Sequence, residues 1–255
     1  MRGAVHRLVG ARESRRNSFT GYSGDVTGLE VRRIGLIDYV EAWDLQRALH
    51  AQRVDGDIGD VALFLEHPPV FTAGKRTEPH ERPFDGTPVV DVDRGGKITF
   101  HGPGQLVGYP ITKLPSHVLV VDYVRRVEEA LIRAIDDLGV KSGRVPGRSG
   151  VWLAAADGKP ERKIGAIGIR VSRGITMHGF SLNANVDLSW FDRFVPCGIS
   201  DAGVASLSEE LGRDVTVSEA ADVVEPYLCD LLSWNTYTPS ADLEHADSYP
   251  AIAVL

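Results

Sequence analysis

The sequence predicts an α/β fold in which helices flank a mixed or largely antiparallel sheet. Long segments repeat apolar residues at intervals of three and four, the period of a helix that is buried on one face. Short apolar runs bounded by glycine or proline lie between them, as expected for strands. With 255 residues and 43% hydrophobic composition, the chain has enough apolar surface for one substantial core.

The first elements alternate strands with a helix. Residues 29–33 are predicted as a strand, and residues 39–54 as a helix because their alanines and leucines recur at helical spacing. The apolar run 61–65 predicts a buried strand. Its end is set by residues 66–69, where Pro68 and Pro69 require a turn.

Six further apolar runs predict the remaining strands, and several of them border a glycine-rich segment. The motifs described below therefore lie at strand ends and in loops. These predicted strands are residues 89–92, 98–100, 106–111, 151–153, 164–171 and 175–182.

Two more helices follow from periodicity and capping signals. Residues 122–138 form an amphipathic pattern that ends at Gly139, a typical residue for a helix C-terminus. Thr216 and Glu219 have the spacing of a capping box, which predicts a last helix running to about Trp234 and bent or broken at Pro226.

The two ends of the chain differ from its middle. Residues 1–28 are rich in Arg, Ser and Gly without the apolar core of a signal peptide, so we expect a flexible N-terminal extension. Their arginines faintly resemble an organellar transit segment, which is the less favoured alternative. Residues 235–255 are polar and predict a flexible C-terminal tail. Residues 29–234 then form one catalytic domain.

Composition narrows the functional class. A net charge of −7 and a pI of about 5.6 disfavour a nucleic-acid binder, and no run approaches the ~20 apolar residues of a membrane span. The two cysteines, Cys197 and Cys229, exclude a disulfide framework and fit a reducing cytoplasm, where we expect the protein to reside. His and Cys residues lack paired metal-ligand spacing, so no metal site is predicted.

Residues 94–105, RGGKITFHGPGQ, are the most informative segment. Glycines allow positive φ angles and close approach to a ligand, while Arg94, Lys97, His101 and Gln105 supply polar groups between them. This composition favours the wall of a narrow ligand slot. The alternative is an ordinary glycine-rich hairpin with solvated charges.

Cys197 is the strongest nucleophile candidate. Pro196 and Gly198 flank it and leave the surroundings of the sulfur open. Cys229 lies in an apolar helical run, where a small buried hydrophobic residue is the natural interpretation. A single cysteine is more often inert than catalytic, so the prediction depends on the sequence around it.

Lys163 opens a strand pattern that contains two glycines, which are unfavourable in a regular strand and indicate close approach by a ligand. A solvated lysine at a strand start is the common alternative. Near a thiol, however, an ammonium group favours the thiolate and can pass protons. Spacing alone does not bring Lys163 and Cys197 together.

Over residues 31–221 the chain resembles the octanoyltransferases of lipoate biosynthesis, the lipoyl(octanoyl) transferase or lipoate-protein ligase B family. The motifs occur in family order, which makes chance agreement implausible. The segments that carry the resemblance are 65–68, 72–74, 94–110, 147–152, 162–168, 178–183 and 194–199.

The resemblance implies a fold like the catalytic domain of biotin and lipoate protein ligases and an octanoyltransferase catalytic domain over residues 29–234. It implies that Cys197 takes an octanoyl group from octanoyl-acyl carrier protein as a thioester and passes it to a lysine. The acceptors would be lipoyl domains of 2-oxoacid dehydrogenase complexes and the glycine cleavage H protein, without a cofactor. Lys163 would lower the pKa of the thiol.

The resemblance also assigns the acyl-binding positions. Phe100, Val107, Ile167 and Phe180 are candidate walls of an acyl slot, with ordinary core packing an equal alternative for Phe100 and Ile167. His101 is a candidate group that orients the reacting atoms. Backbone N–H groups of residues 166–168, or next to Gly198, are candidate oxyanion donors. The implied substrate-binding residues are Arg94, Gly95, Gly96, Lys97, Ile98, Thr99, Phe100, His101, Ala166, Ile167, Gly168, Gly179, Phe180 and Ser181.

Three alternatives stay open. An ATP-dependent lipoate ligase has no need for a cysteine placed like Cys197, and a non-catalytic binder of lipoyl domains would also not require it. An amidotransferase that moves octanoyl between two lipoyl-accepting proteins uses a cysteine as well. An acidic carrier would need a local basic surface. The basic residues nearest the predicted site in sequence are Lys75, Arg76, Arg144, Arg148, Arg162, Arg170 and Arg173.

Overall fold

The computed structural model describes residues 28–156, 158–194 and 202–243. Within these ranges the chain forms eleven strands and four helices. The strands are β1 (Glu30–Leu36), β2 (Val61–Glu66), β3 (Val70–Ala73), β4 (Val89–Asp91), β5 (Thr99–His101), β6 (Gln105–Ile111), β7 (Gly143–Val145), β8 (Arg148–Leu153), β9 (Arg162–Ser172), β10 (Ile175–Asn183) and β11 (Gly203–Val204). The helices are α1 (Tyr39–Asp55), α2 (Val120–Asp137), α3 (Leu207–Leu211) and α4 (Val217–Leu231).

The main sheet has eight strands in the order β1-β2-β6-β10-β9-β8-β7, with β11 added alongside β9. The β1–β2 and β11–β9 pairs are parallel, and the other neighbours are antiparallel. A second sheet of three strands, β4-β3-β5, carries the glycine-rich segment at its edge. The prediction of a mixed sheet flanked by helices is confirmed.

Helices cover both faces of the main sheet. Successive side chains of β2 point to opposite faces, so this strand contributes to the apolar cluster on each side. Ala62 and Phe64 face the cluster formed with α2 and α4, whereas Leu63 and Leu65 face the cluster formed with α1. Each large apolar side chain that is fully buried here contributes about 1.5–3 kcal/mol. A third apolar cluster, which includes Phe71 of β3, packs against the three-stranded sheet.

The helix ends follow local capping. Asp38 accepts hydrogen bonds from the first turn of α1, and Gly56 ends that helix with φ of +83°. Helix α2 begins two residues before its predicted start because the Asp122 carboxylate accepts from the Leu119 N–H. Helix α4 continues through Pro226 and ends before the predicted Trp234. The short strands β3, β7 and β11 and helix α3 were not predicted.

Helix α2 carries two glutamates whose side chains are completely buried, Glu128 and Glu129. Arg144 reaches them from β7, with its Nη2 2.5 Å from Glu129 Oε2 and its Nε 3.4 Å from Glu128 Oε2. Arg133 donates to Glu129 from one turn further along the helix. Buried charges are tolerated only when they are paired in this way.

Residues 235–243 lie along this cluster. The Ser240 N–H and hydroxyl donate to Glu129, and the Leu243 N–H donates to Arg144 O at 2.8 Å. The prediction of a loosely attached tail is therefore wrong for this stretch. Residues 244–255 of the predicted tail, and residues 1–27 of the predicted extension, lie outside the described residues.

The expected basic docking residues divide into two groups. Arg144 and Arg162 are buried, the latter paired with Glu210, and Arg170 is paired with Asp93. Lys75, Arg76 and Arg173 are exposed. The interpretation of Arg144 and Arg162 as docking residues is thus wrong, because neither side chain reaches solvent. Within the described ranges, no helix is long and apolar enough to cross a bilayer.

We predict that Arg144→Ala lowers the free energy of unfolding by about 3–5 kcal/mol, because it leaves buried carboxylates without their main partner. Urea unfolding followed by tryptophan fluorescence measures this loss. Lys141→Ala is the matched control, since Lys141 and its partner Asp136 are exposed and such pairs contribute about 1 kcal/mol or less. Equal losses in the two variants would contradict the assignment.

Candidate active site

Lys163 lies where β9 changes partners. Beyond Gly165 the strand pairs with β10, but at its first residues that edge is taken by β11, with Val204 opposite Lys163. On the other edge, β8 places Trp152 opposite Lys163 and Val151 opposite Gly165. From Lys163 to Gly165 the strand β9 advances by two residues while β8 advances by one, which makes a bulge at Ile164. Bulges of this kind redirect neighbouring side chains and occur often beside active sites.

The Lys163 side chain extends across the indole ring of Trp152, with Nζ 4.5 Å from the ring centre. A second cation, Arg148, lies 5.6 Å from the same ring. Gly150 makes room for the lysine, because a Cβ there would lie 3.4 Å from Lys163 Cε and 2.6 Å from Gly165 O. Its φ of +113° also excludes other residue types. The cavity thus presents the Lys163 ammonium beside an aromatic ring.

A cavity of about 480 Å³, including its open mouth, surrounds this lysine. Its walls are mostly apolar, with a few polar side chains. The residues that line it are Ile98, Thr99, Gln105, Trp152, Lys163, Ile164, Gly165, Ala166, Ser181, Asn183, Phe191, Ala202, Gly203 and Val204.

The wall formed by residues 94–99 is shaped by Arg94. Its buried guanidinium donates to Thr72 O at 2.8 Å, Thr72 Oγ1 at 2.9 Å and Lys97 O at 2.8 Å. These bonds tie the loop to β3 and hold Ile98 and Thr99 at the cavity. Lys97 forms an ion pair with the buried carboxylate of Glu81. The described contacts of Arg94 and Lys97 therefore organise the loop.

Asp93 joins this loop to the main sheet. It accepts a hydrogen bond from His178 Nε2 at 2.8 Å and pairs with Arg170. Burial alone would raise the pKa of Asp93, but the His178 hydrogen bond and the nearby positive charges outweigh it and lower the pKa. His178 has φ of +56°, a strained value that places its ring beside Asp93.

One edge of β9 is open next to the loop. Gly95 N donates to Ile169 O at 2.9 Å, on the side of β9 that faces away from β10. Because backbone groups alternate along a strand, the N–H and C=O of Ile167 point to the same open edge. Ala166 and Gly168 point the other way, towards Ser181 and Gly179 of β10. Among residues 166–168, Ile167 therefore offers the available backbone N–H.

His101 lies behind the cavity wall. Its ring stacks on Tyr39 at 6.1 Å between centroids and meets His67 at 5.7 Å. Desolvation, together with the nearby His67 charge, lowers the pKa of His101 to about 3. The imidazole is therefore uncharged at neutral pH, and its Nδ1–H donates to Gln105 Oε1 at 2.7 Å.

The structure brings part of the predicted site together. Lys163, Ile98, Thr99, Ala166 and Ser181 line the cavity. Cys197 lies outside the described residues. The predicted substrate-binding residues that do not line the cavity are Arg94, Gly95, Gly96, Lys97, Phe100, His101, Ile167, Gly168, Gly179 and Phe180.

The expected acyl-slot walls lie outside the described lining of this cavity. Phe180 packs edge-on against Phe64 in the core, and Phe100 stacks on Trp190 at 5.0 Å. Val107 faces α1 on the opposite side of the sheet. Neither these three side chains nor Ile167 line the cavity, because each is used in packing between elements or lies on another face.

Sequence reasoning missed several lining residues. Trp152 and Asn183 stand within motifs that were recognised, but their own roles were not inferred, whereas Gln105 was predicted as part of a slot wall and does line the cavity. Phe191 and Val204 carry no motif signal and reach the cavity through folding alone.

Two other possible centres of chemistry are the Cys229 thiol and a bound metal ion. Cys229 is partly buried in α4, and desolvation raises its thiol pKa, which disfavours the reactive thiolate. In the described parts of the chain, no group of three or more His, Cys, Asp or Glu side chains is placed to hold a metal ion. The described chemistry of the cavity therefore centres on Lys163.

The model of the lipoyl protein ligase A/B catalytic domain matches residues 38–228, and the chain belongs to this family. A curated relative from Mycobacterium sp. (strain KMS), named octanoyltransferase, is 64% identical over 204 residues, which are 80% of this chain and 85% of the relative.

Solved structures agree on the fold. The crystal structure of P. falciparum LipL1 in complex with lipoate aligns with a TM-score of 0.62 at 12% identity, over 84% of this chain and 66% of that one. Biotin protein ligase from Aquifex aeolicus, in complex with biotin and ATP, aligns with a TM-score of 0.51 at 14% identity, over 80% and 70% of the two chains. The predicted likeness to biotin and lipoate protein ligase catalytic domains is confirmed.

We predict that His101 makes folding stability depend on pH. Its folded pKa of about 3 lies below the unfolded value of about 6.5. Stability from this residue is full above pH ~6.5 and is lost as the pH falls towards 3, with a slope of up to about 1.4 kcal/mol per pH unit. His101→Gln should flatten the dependence measured by urea unfolding at several pH values.

Exposed His117 supplies the control for this measurement, because His117→Gln changes a histidine that no element covers. Some pH dependence of the folding stability should persist in both variants, since burial also lowers the pKa of His67 and His178. A His101→Gln profile that matches the wild type would show that His101 is protonated equally in both states.

Proposed function

We propose that this chain is an octanoyltransferase that carries out the first step of endogenous protein lipoylation. It takes an octanoyl group from octanoyl-acyl carrier protein, holds it as a thioester on Cys197, and transfers it to a lysine of a lipoyl domain or of the glycine cleavage H protein. Family membership and the name of the Mycobacterium relative support octanoyl transfer in lipoylation. The cysteine content fits a cytoplasmic location.

One observation carries the proposal to the residue level. Phe191 and Ala202 both line the cavity that contains Lys163. In the sequence Cys197 stands between these two lining residues, six positions after Phe191 and five before Ala202. This connectivity supports a Lys163–Cys197 pair.

The first half-reaction exchanges one thioester for another. The Cys197 thiolate attacks the carbonyl carbon of the carrier thioester, and collapse of the tetrahedral adduct breaks the bond to the carrier sulfur. The carrier thiolate leaves and takes up a proton. Because a thioester is both consumed and formed, this step is close to balanced and requires no nucleotide.

In the second half-reaction, the acceptor lysine attacks the enzyme thioester as a neutral amine. The carbon–sulfur bond breaks, an amide bond forms, the amine gives up a proton, and the Cys197 thiolate is restored. Lys163 is the proposed partner that stabilises the thiolate and handles protons. Formation of a stable amide drives this step forward.

Each half-reaction places negative charge on the acyl oxygen. Ile167 itself does not line the cavity, but it directly follows the lining residue Ala166. Of the backbone groups at 166–168, its N–H is the proposed donor, because Ala166 and Gly168 point towards β10. The apolar side chains of Ile98, Phe191 and Val204 provide surface for an alkyl chain.

We predict that incubation with octanoyl-acyl carrier protein adds one octanoyl mass to the enzyme, because Cys197 is the proposed site of the thioester. Intact-mass spectrometry detects the adduct, and hydroxylamine should remove it. Cys197→Ala should form no adduct, whereas Cys229→Ala should form it normally. An adduct that persists in Cys197→Ala would refute the assignment.

A further prediction concerns nucleotides. Transfer from octanoyl-acyl carrier protein to a lipoyl domain should proceed without ATP or magnesium, because the donor thioester is already activated. Use of free octanoate only when ATP is supplied would identify a ligase instead. Faster transfer from an octanoylated lipoyl-accepting protein than from the carrier would identify an amidotransferase.

A further inference from the structure

A chain of hydrogen bonds runs along one wall of the cavity. His101 Nδ1 donates to Gln105 Oε1 at 2.7 Å, Gln105 Nε2 donates to Asn183 Oδ1 at 2.8 Å, and Asn183 Nδ2 donates to Ala205 O at 2.8 Å. Gln105 is 1% exposed and Asn183 is 5% exposed. The acyl-transfer steps described above use neither carboxamide.

One backbone carbonyl sets the donor-to-acceptor direction of all three hydrogen bonds. Because Ala205 O can only accept, the amide nitrogen of Asn183 must face it, and Asn183 Oδ1 must then face Gln105. The amide nitrogen of Gln105 follows, and its Oε1 is left to accept the proton on His101 Nδ1. No member can flip without leaving two buried groups of the same kind in contact.

The end of this hydrogen-bond series at Ala205 lies beside Lys163. Ala205 N donates to Lys163 O at 3.0 Å, so residue 205 is held by the Lys163 peptide through its N–H and by Asn183 through its C=O. The preceding residue, Val204, pairs with Lys163 in β11 and lines the cavity. Strand β11 has only two residues and has few ladder bonds of its own to keep its register.

We infer that Asn183 is a positioning residue that holds β11 in register with Lys163, and that Gln105 supports it from the other side. The inference rests on the proposed function, in which Lys163 acts in this cavity. Asn183 acts through Ala205, and its contribution is the placement of the cavity wall relative to the lysine. A shift of this wall changes the alignment of the acyl group.

Two isosteric variants test the direction of the chain. Asn183→Asp removes the donor to Ala205 O and should lower kcat about 10-fold or more with KM nearly unchanged, since small misplacements at a reacting centre are costly. Gln105→Glu keeps the acceptor for His101 and leaves the Asn183–Ala205 bond in place. Its loss of kcat should therefore be smaller. Asn185→Asp, at an exposed position two residues along, is the control and should retain wild-type kcat.

Hydrogen exchange gives a readout that needs no acyl donor. The Ala205 amide should exchange faster in Asn183→Asp than in the wild type or in Asn185→Asp, because its bond to Lys163 O loses support. If the wild type forms no adduct on Cys197, the proposed function fails, while this comparison still decides the inference.

Two outcomes would overturn the positioning role. One is an Asn183→Asp variant with wild-type kcat and wild-type exchange at Ala205. The other is a lowered Tm with unchanged kcat well below that Tm, which would make Asn183 a stability residue alone. A larger kcat loss in Gln105→Glu than in Asn183→Asp would place the effect at His101 and count against the inference as well.

Discussion

The exchange of strand partners at the start of β9 is the constraint on which the rest of the site depends. A strand held by β10 along most of its length is held at Lys163 by the two-residue strand β11 instead. The bulge at Ile164 then allows Lys163 to face Trp152 while Gly165 keeps its place beside Val151. The lysine is thereby directed into a cavity by backbone geometry that a regular ladder would not provide.

The supports of this geometry are polar and buried. Glu128 accepts from the Gly150 N–H at 2.9 Å, and Gly150 in turn packs against the stem of Lys163. On the opposite wall, the Arg94 guanidinium donates hydrogen bonds to Lys97 O in the loop and to Thr72 O in β3. Buried charges are costly unless they are fully bonded, so these contacts specify one arrangement of the walls. The acyl-facing surface itself can then be mostly apolar.

The fold class and most elements could be predicted because each has its own local signal, such as the periodicity of α1 and α2 or the capping box of α4. The strands β3, β7 and β11 were missed because they are short and gain their stability from neighbours that are distant in sequence. Lys163 and Ile98 were found through motifs. Phe100 and Phe180 are buried in the described structure, which the sequence could not decide because an aromatic residue in a binding motif has the same sequence signal whether it faces a ligand or a core. Only tertiary packing separates these cases, as it does for Phe191.

The hydrogen bonds of Ser240 to Glu129 have a consequence for synthesis of the protein on the ribosome. Helix α2 and β7 emerge long before residue 240, so Glu129 lacks part of its final set of donors until nearly the whole chain has been made. Domains otherwise begin to fold from the N-terminus during translation. A nascent chain that stalls before this point carries the sheet and its helices but an incomplete set of bonds around a buried charge, so its folded state is less stable than that of the finished protein.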